Sequence, residues 1–121
     1  MITVQTLIDS GIFTLKTPGD PSRSIEKVFC CDLLSIAMSK APENGAWVTV
    51  MGNKNTIAVA SLTDISCIIL AEGIQFSQED LNCAENEGIA VFSTSLPIFE
   101  AALKIQAVSY THLTLPTTCQ V

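Results

Sequence analysis

Four short polar sets each close a run of apolar, β-forming residues: Cys31-Asp32, Gly52-Asn53-Lys54-Asn55, Glu72-Gly73 and Ser93-Thr94-Ser95. Most of them precede a stretch with helical periodicity. Hydroxyls, amides and free backbone N–H groups at the start of a helix accept an anion such as a phosphate or carboxylate. If the apolar runs are parallel strands, all four sets gather at one end of a sheet, where ligands of such sheets sit. The chemistry on offer is binding of a small anionic ligand by Asp32, Gly52, Asn53, Lys54, Asn55, Glu72, Gly73, Thr94 and Ser95. The plainer reading is that Asp32, Asn55 and Ser95 cap helices, as every helix requires, and that Lys54 is a solvated loop lysine.

Catalytic sets are harder to assemble. The loop at Gly52 lacks the Gly-x4-Gly-Lys-Ser/Thr spacing that grips a triphosphate, and no Gly-x-Gly-x-x-Gly occurs. Asp64 and Glu72 bracket one predicted strand, so they stand too far apart to share a proton. The five cysteines (30, 31, 67, 83 and 119) contain no Cys-x-x-Cys pair, and the chain has one histidine, His112. Zinc and iron–sulfur centres need more ligands at workable spacing, so no metal and no cofactor are expected. The cysteines are expected to be buried and apolar in behaviour. A nucleophilic Cys30 or Cys31 would need a neighbouring base that the sequence does not supply. Phe29 and Trp47 are single aromatics on strands, suited to a core or an interface. The expectation is a protein without a catalytic residue.

The elements that must position these residues can be read from local patterns. Thr3 caps a short first helix with Val4, Leu7 and Ile8 on one face, and Gly11 stops it. Residues 12–15 alternate like a short strand, and residues 16–24 (KTPGDPSRS) read as an exposed, flexible loop. Strands are predicted over 27–31, 46–51, 67–71 and 89–93. Between them lie helices begun by Asp32, by the loop at 52–55, and by Ser77, whose spacing to Asp80 has the form of a capping box. The second helix should turn Leu33, Leu34, Ala37 and Met38 to one side. A weaker helix over 56–63 offers Ile57, Ala60, Ser61 and Leu62. Ser95 and Pro97 open the last helix, with Phe99, Ala102, Leu103 and Gln106 along one face. Strands alternating with helices imply right-handed crossovers and a parallel sheet covered on both faces. The fold class is α/β, a three-layer αβα sandwich with a mostly parallel sheet of about four to five strands, the strands at 46–51 and 67–71 central.

The chain has 121 residues, of which 48% are hydrophobic and 15% charged, so it suits one domain with one core. Twelve acidic and six basic residues give a net charge of -6, which opposes nucleic acid and anionic membranes as partners. No run approaches the roughly 18 apolar residues that cross a bilayer, and residues 1–15 lack a basic leader, so the cytoplasm is the expected location. The last 14 residues contain no Asp, Glu, Lys or Arg but hold the single Tyr and the single His. VSYTHL, residues 108–113, resembles one reading frame of the transposase-end adapter used in sequencing libraries. The domain is therefore expected over 1–107, with 108–121 a non-native tail that removes His112 from consideration.

The run from Val28 to Ile105 resembles the DRTGG domain, which is similar in turn to the N-terminal domain of bacterial HPr kinase/phosphorylase. The resemblance rests on CCDLLS, the strand that ends at Gly52, the IILAEG strand end and GIAVFSTS, in that order. The chain departs from the name-giving motif: Asn53-Lys54 stands where an acidic–basic pair would be, and Glu72-Gly73 where two glycines would be. The resemblance implies a regulatory, ligand-sensing domain without kinase catalysis. Small stand-alone members look like companions of anaerobic hydrogenase systems. The alternative is a structural module, dimerising or docking on a kinase or hydrogenase partner.

Overall fold

Strand formation follows the β-branched and aromatic runs, and helix formation follows the capped segments between them. The computed structural model describes the backbone of residues 2–114 and the side chains of residues 2–110. In chain order the elements are β1 (Ile2–Thr3), α1 (Val4–Ser10), β2 (Thr14–Thr17), β3 (Ser24–Ile25), β4 (Lys27–Cys30) and α2 (Leu34–Lys40). They continue as β5 (Gly45–Thr49), α3 (Lys54–Thr63), β6 (Cys67–Leu70), α4 (Gln78–Asn86), β7 (Ala90–Ser93) and α5 (Ile98–Thr114).

The main sheet has five strands in the order β2-β7-β6-β5-β4. β4, β5, β6 and β7 run parallel, whereas β2 joins β7 antiparallel. Consecutive parallel strands step in one direction, so right-handed crossovers place α2, α3 and α4 on the same face. Strand alternation then divides the core. Trp47, Ile68, Leu70 and Val91 pack with Ala37, Ile57, Ala60 and Ala84 of those helices. Ala46, Val48, Cys67, Ile69, Ala90 and Phe92 point the other way, against Val4 and Leu7 of α1 and Ala101 and Ile105 of α5. This is a three-layer αβα sandwich. The strands expected at the centre are interior, with β7 interior too because β2 covers it.

Several local expectations hold. Thr3 caps α1 in a reciprocal box with Thr6, Gly11 ends it with φ 69°, and Ser77 caps α4 by accepting from the Asp80 N–H. Others need correction. The first strand of the main sheet lies at Thr14–Thr17, later than expected, because Phe13 turns into the core and meets Phe92 edge-on at 6.2 Å. The segment 16–24 is not a free loop. Thr17 is buried and its hydroxyl donates to Glu85 Oε1, which also accepts from the Gly19 N–H at 3.3 Å. A Cβ at Gly19 would sit 2.4 Å from the Ala90 nitrogen, so the chain passes there only as glycine. Ser22 donates through its hydroxyl and its N–H to Asp20 Oδ1, and these bonds hold the Asp20 carboxyl below its usual range.

α5 turns a different face from that expected, and α2 keeps only part of its expected face. On α5, Ala101 and Ile105 are buried, whereas Phe99 is 71% and Leu103 50% exposed. On α2, Ala37 is buried and Leu34 packs against the same core as expected, but Ile36, Met38 and the preceding Leu33 are exposed. Ala37 and Ala101 take sheet-facing positions, where a small side chain lets the helix approach the strands closely. Leu62 of α3 is likewise exposed. The expected change of character after Ala107 falls inside α5, and residues 115–121, with Cys119, lie outside the described residues. The side chain of His112 lies outside them as well.

Candidate functional site

The carboxyl ends of β4, β5, β6 and β7 form one rim, and hydrogen bonds lace its loops together. Asp32 follows β4. It does not cap α2: Leu33 is the N-cap residue and makes no side-chain cap bond. Instead, Asp32 Oδ1 accepts from the Thr49 hydroxyl at 2.7 Å and the Val50 N–H at 3.0 Å. The Thr49 Oγ1 in turn accepts from the Met51 N–H at 3.2 Å, and the Thr56 hydroxyl donates to the Met51 carbonyl at 2.7 Å. These bonds shape the loop that carries Gly52. Thr49 and Thr56, both fully buried, were missed as site-forming residues. The available signal was a threonine inside the otherwise apolar run AWVTVM.

Gly52 lies against the next loop. A Cβ there would stand 2.7 Å from Ile74 Cγ2 and 3.1 Å from the Gln75 carbonyl oxygen. Glu72 and Gly73 have φ 61° and 76°, and the Ile74 N–H closes on the Ala71 carbonyl at 3.1 Å. Two successive left-handed residues in a closed four-residue turn match type I′ geometry. The Glu72 and Gly73 N–H groups donate to the Leu96 and Thr94 carbonyls, both at 2.9 Å. Thr94 Oγ1 accepts from the Leu96 N–H at 3.2 Å. Asp32, Gly52, Glu72, Gly73 and Thr94 thus belong to one interlocked belt, with Ser95 exposed beside it.

Asn53, Lys54 and Asn55 are placed differently. α3 begins at Lys54, earlier than expected, and Asn53 rather than Asn55 is its cap, accepting from the Asn55 N–H at 3.0 Å. Lys54 and Asn55 line a cavity of about 470 Å³ between α3 and α4, with Ile57, Leu62 and Cys83, and no other candidate residue borders it. Among the described residues, no group of three His, Cys, Asp or Glu side chains is placed to hold a metal ion. None of the helices there is long and apolar enough to cross a membrane.

A model of the DRTGG domain matches residues 14–108. The chain belongs to the DRTGG domain family. No curated protein matches it. The DRTGG match opens at β2 and closes inside α5, so it contains the whole five-stranded sheet and every rim residue, and leaves α1 outside. DRTGG domains are commonly regulatory or ligand-sensing.

The cysteines correct another expectation. Among the described residues only Cys67 is buried; Cys30 and Cys83 are exposed and Cys31 is intermediate. Burial pushes the Cys67 thiol up to about 12. Partial burial, with the Asp32 charge nearby, raises Cys30 above its ordinary value of 9.0. A thiol raised in this way holds less thiolate at neutral pH, the opposite of an activated nucleophile. In native protein at neutral pH, iodoacetamide is expected to label Cys83, to label Cys30 more slowly, and to spare Cys67. The Cys30 rate is expected to keep climbing beyond pH 9.0. Peptide mass mapping at timed quenches checks this, and fast neutral labelling of Cys30 would contradict the raised thiol.

Proposed function

We propose that this DRTGG domain is a non-catalytic sensing module that takes a small phosphorylated or nucleotide ligand on the rim. The supporting observation is the belt itself: Asp32–Thr49, Gly52–Ile74 and Gly73–Thr94 tie neighbouring loops together. Loops held in this way present their remaining polar groups in a fixed arrangement and lose little freedom on binding. Asn53 and Ser95 offer neutral polar groups at the same end of the sheet, and Lys54, which borders the α3–α4 cavity at the start of α3, adds positive charge beside the rim. A thermal-shift panel of nucleotides and phosphorylated metabolites tests the reading. A ligand present at about 100 times its Kd stabilises by about 2.7 kcal/mol. For this chain length that corresponds to a rise in Tm of roughly 10 °C. Gly52→Val forces the two loops apart and is expected to abolish the response, at a stability cost of about 1–3 kcal/mol. Lys40→Ala, at the far end of α2, should keep the response. No shift with any compound at millimolar concentration would overturn ligand sensing.

A second reading, a dimerising or docking module, is favoured by the exposed Leu33 before α2, Ile36 and Met38 on it, and Phe99 and Leu103 of α5. In this reading the domain works in the cytoplasm beside a larger enzyme, a kinase or an anaerobic hydrogenase. The net charge of -6 directs it toward protein rather than nucleic acid.

A further inference from the structure

The outer face of α5 carries two large apolar side chains one turn apart. Phe99 is 71% exposed and Leu103 50%, directly opposite the buried Ala101 and Ile105. Large apolar side chains repeated along the solvent face of a helix point to a surface that another molecule covers.

The charges beside this pair indicate which molecule. In a two-fold contact each residue meets the same patch on the second copy, so the patch must be complementary to itself. A helix face carrying one sign of charge repels its own copy. α1 carries only Asp9, α2 only Lys40 and α3 only Lys54, while α4 carries Glu79, Asp80 and Glu85 without a base. α5 alone among them carries one of each, Glu100 and Lys104, a turn apart on the same flank of the apolar pair. An antiparallel pairing of two α5 helices, with its axis at the height of Ala102, sets Glu100 of each copy opposite Lys104 of the other. Phe99 and Leu103 then fill the seam.

We infer that α5 is a self-complementary surface that pairs with α5 of a second copy of this chain, antiparallel, through Phe99, Leu103 and reciprocal Glu100–Lys104 contacts. The inference rests on the docking reading and is independent of any ligand on the rim, because its readout is mass rather than a ligand-induced shift.

Sedimentation equilibrium of the full chain, from low-micromolar to sub-millimolar concentration, tests it. The expected result is a reversible dimer. Leu103→Glu lies on an exposed position, so the variant should retain its circular dichroism and melt while weakening the dimer by at least about tenfold. Glu100→Lys and Lys104→Glu should each weaken it, because each sets like charges opposite one another, and the double exchange should restore it. A monomer at every concentration overturns the inference. So does a dimer indifferent to Leu103→Glu, which would place the contact elsewhere, for example on α2. Failure of the double exchange to restore association overturns the antiparallel pairing.

Discussion

Trp47→Ala is expected to lower the stability of the domain by about 3–5 kcal/mol, a large part of the 5–15 kcal/mol typical of a single domain. Trp47 is fully buried on β5, facing α2, α3 and α4. It is packed at a tilt against Phe29, with ring centroids 6.3 Å apart. Its indole N–H donates to the Cys31 carbonyl at 2.9 Å. Truncation opens a cavity between sheet and helices and also strands a carbonyl at the end of β4, one residue before Asp32. Trp47→Phe keeps most of the ring contact and removes the donor, so it should cost less, about 1–3 kcal/mol. Urea denaturation followed by circular dichroism gives both values. Equal losses for the two variants would show that the indole hydrogen bond, rather than the volume, carries the effect.

Arg23→Ala is expected to cost about 2–3 kcal/mol, which lowers Tm by roughly 7–11 °C. Its guanidinium spans the amino ends of β5 and β6, opposite the rim. Nη1 donates to the Ile65 carbonyl at 3.2 Å, and Nη2 to the Asp64 carbonyl at 2.9 Å and to Asn44 Oδ1 at 3.0 Å. Asn44 and Asp64 have φ 60° and 64°, so the clamp also holds two left-handed residues that cost energy to keep. The ion pair to the Asp64 carboxylate, at 3.2 Å, contributes little, because that side chain is 60% exposed. Asp64→Asn tolerates the same backbone and keeps the carbonyl, and should change stability by less than about 0.5 kcal/mol. Differential scanning calorimetry separates the two variants. A loss for Asp64→Asn as large as that for Arg23→Ala would assign the clamp to charge rather than to carbonyl hydrogen bonds.

Arg23 also shows where a local reading stops. The run KTPGDPSRS has the composition of a loose surface loop, yet Thr17, Gly19 and Arg23 tie it to α4, β7 and the ends of β5 and β6. Every one of those partners lies more than 20 residues away, beyond the reach of any periodic pattern. Asp32 carries the same lesson in the site. As the polar residue before a helical stretch it reads as a cap, whereas its carboxylate instead bridges to Thr49 and Val50 on the neighbouring strand. Ser77 and Thr3, by contrast, read as caps and are caps, because their partners lie three residues on.

Of the rim, the position of each loop after a strand was legible, since all four follow unmistakable apolar runs. The contacts between loops were not. Gly52 has a glycine's sequence signature in any turn; only its close approach to Ile74 and Gln75 makes it part of the belt. Lys54 and Asn55 follow closely on Gly52 in sequence, but they form the first two residues of α3 and border the α3–α4 cavity.

By itself, the sequence determined what short-range physics controls: the four parallel-type strands, the helices between them, the αβα class, and the caps at Thr3 and Ser77. Tertiary structure alone decided the order β2-β7-β6-β5-β4, the antiparallel β2 at its edge, the partners of Asp32 and Arg23, and the face that α5 buries. The physical reason is the range of the interactions. Caps and periodicity are settled within about four residues, while packing rewards whatever shape fits the sheet. On α5 the fit went to Ala101 and Ile105, which left Phe99 and Leu103 facing outward.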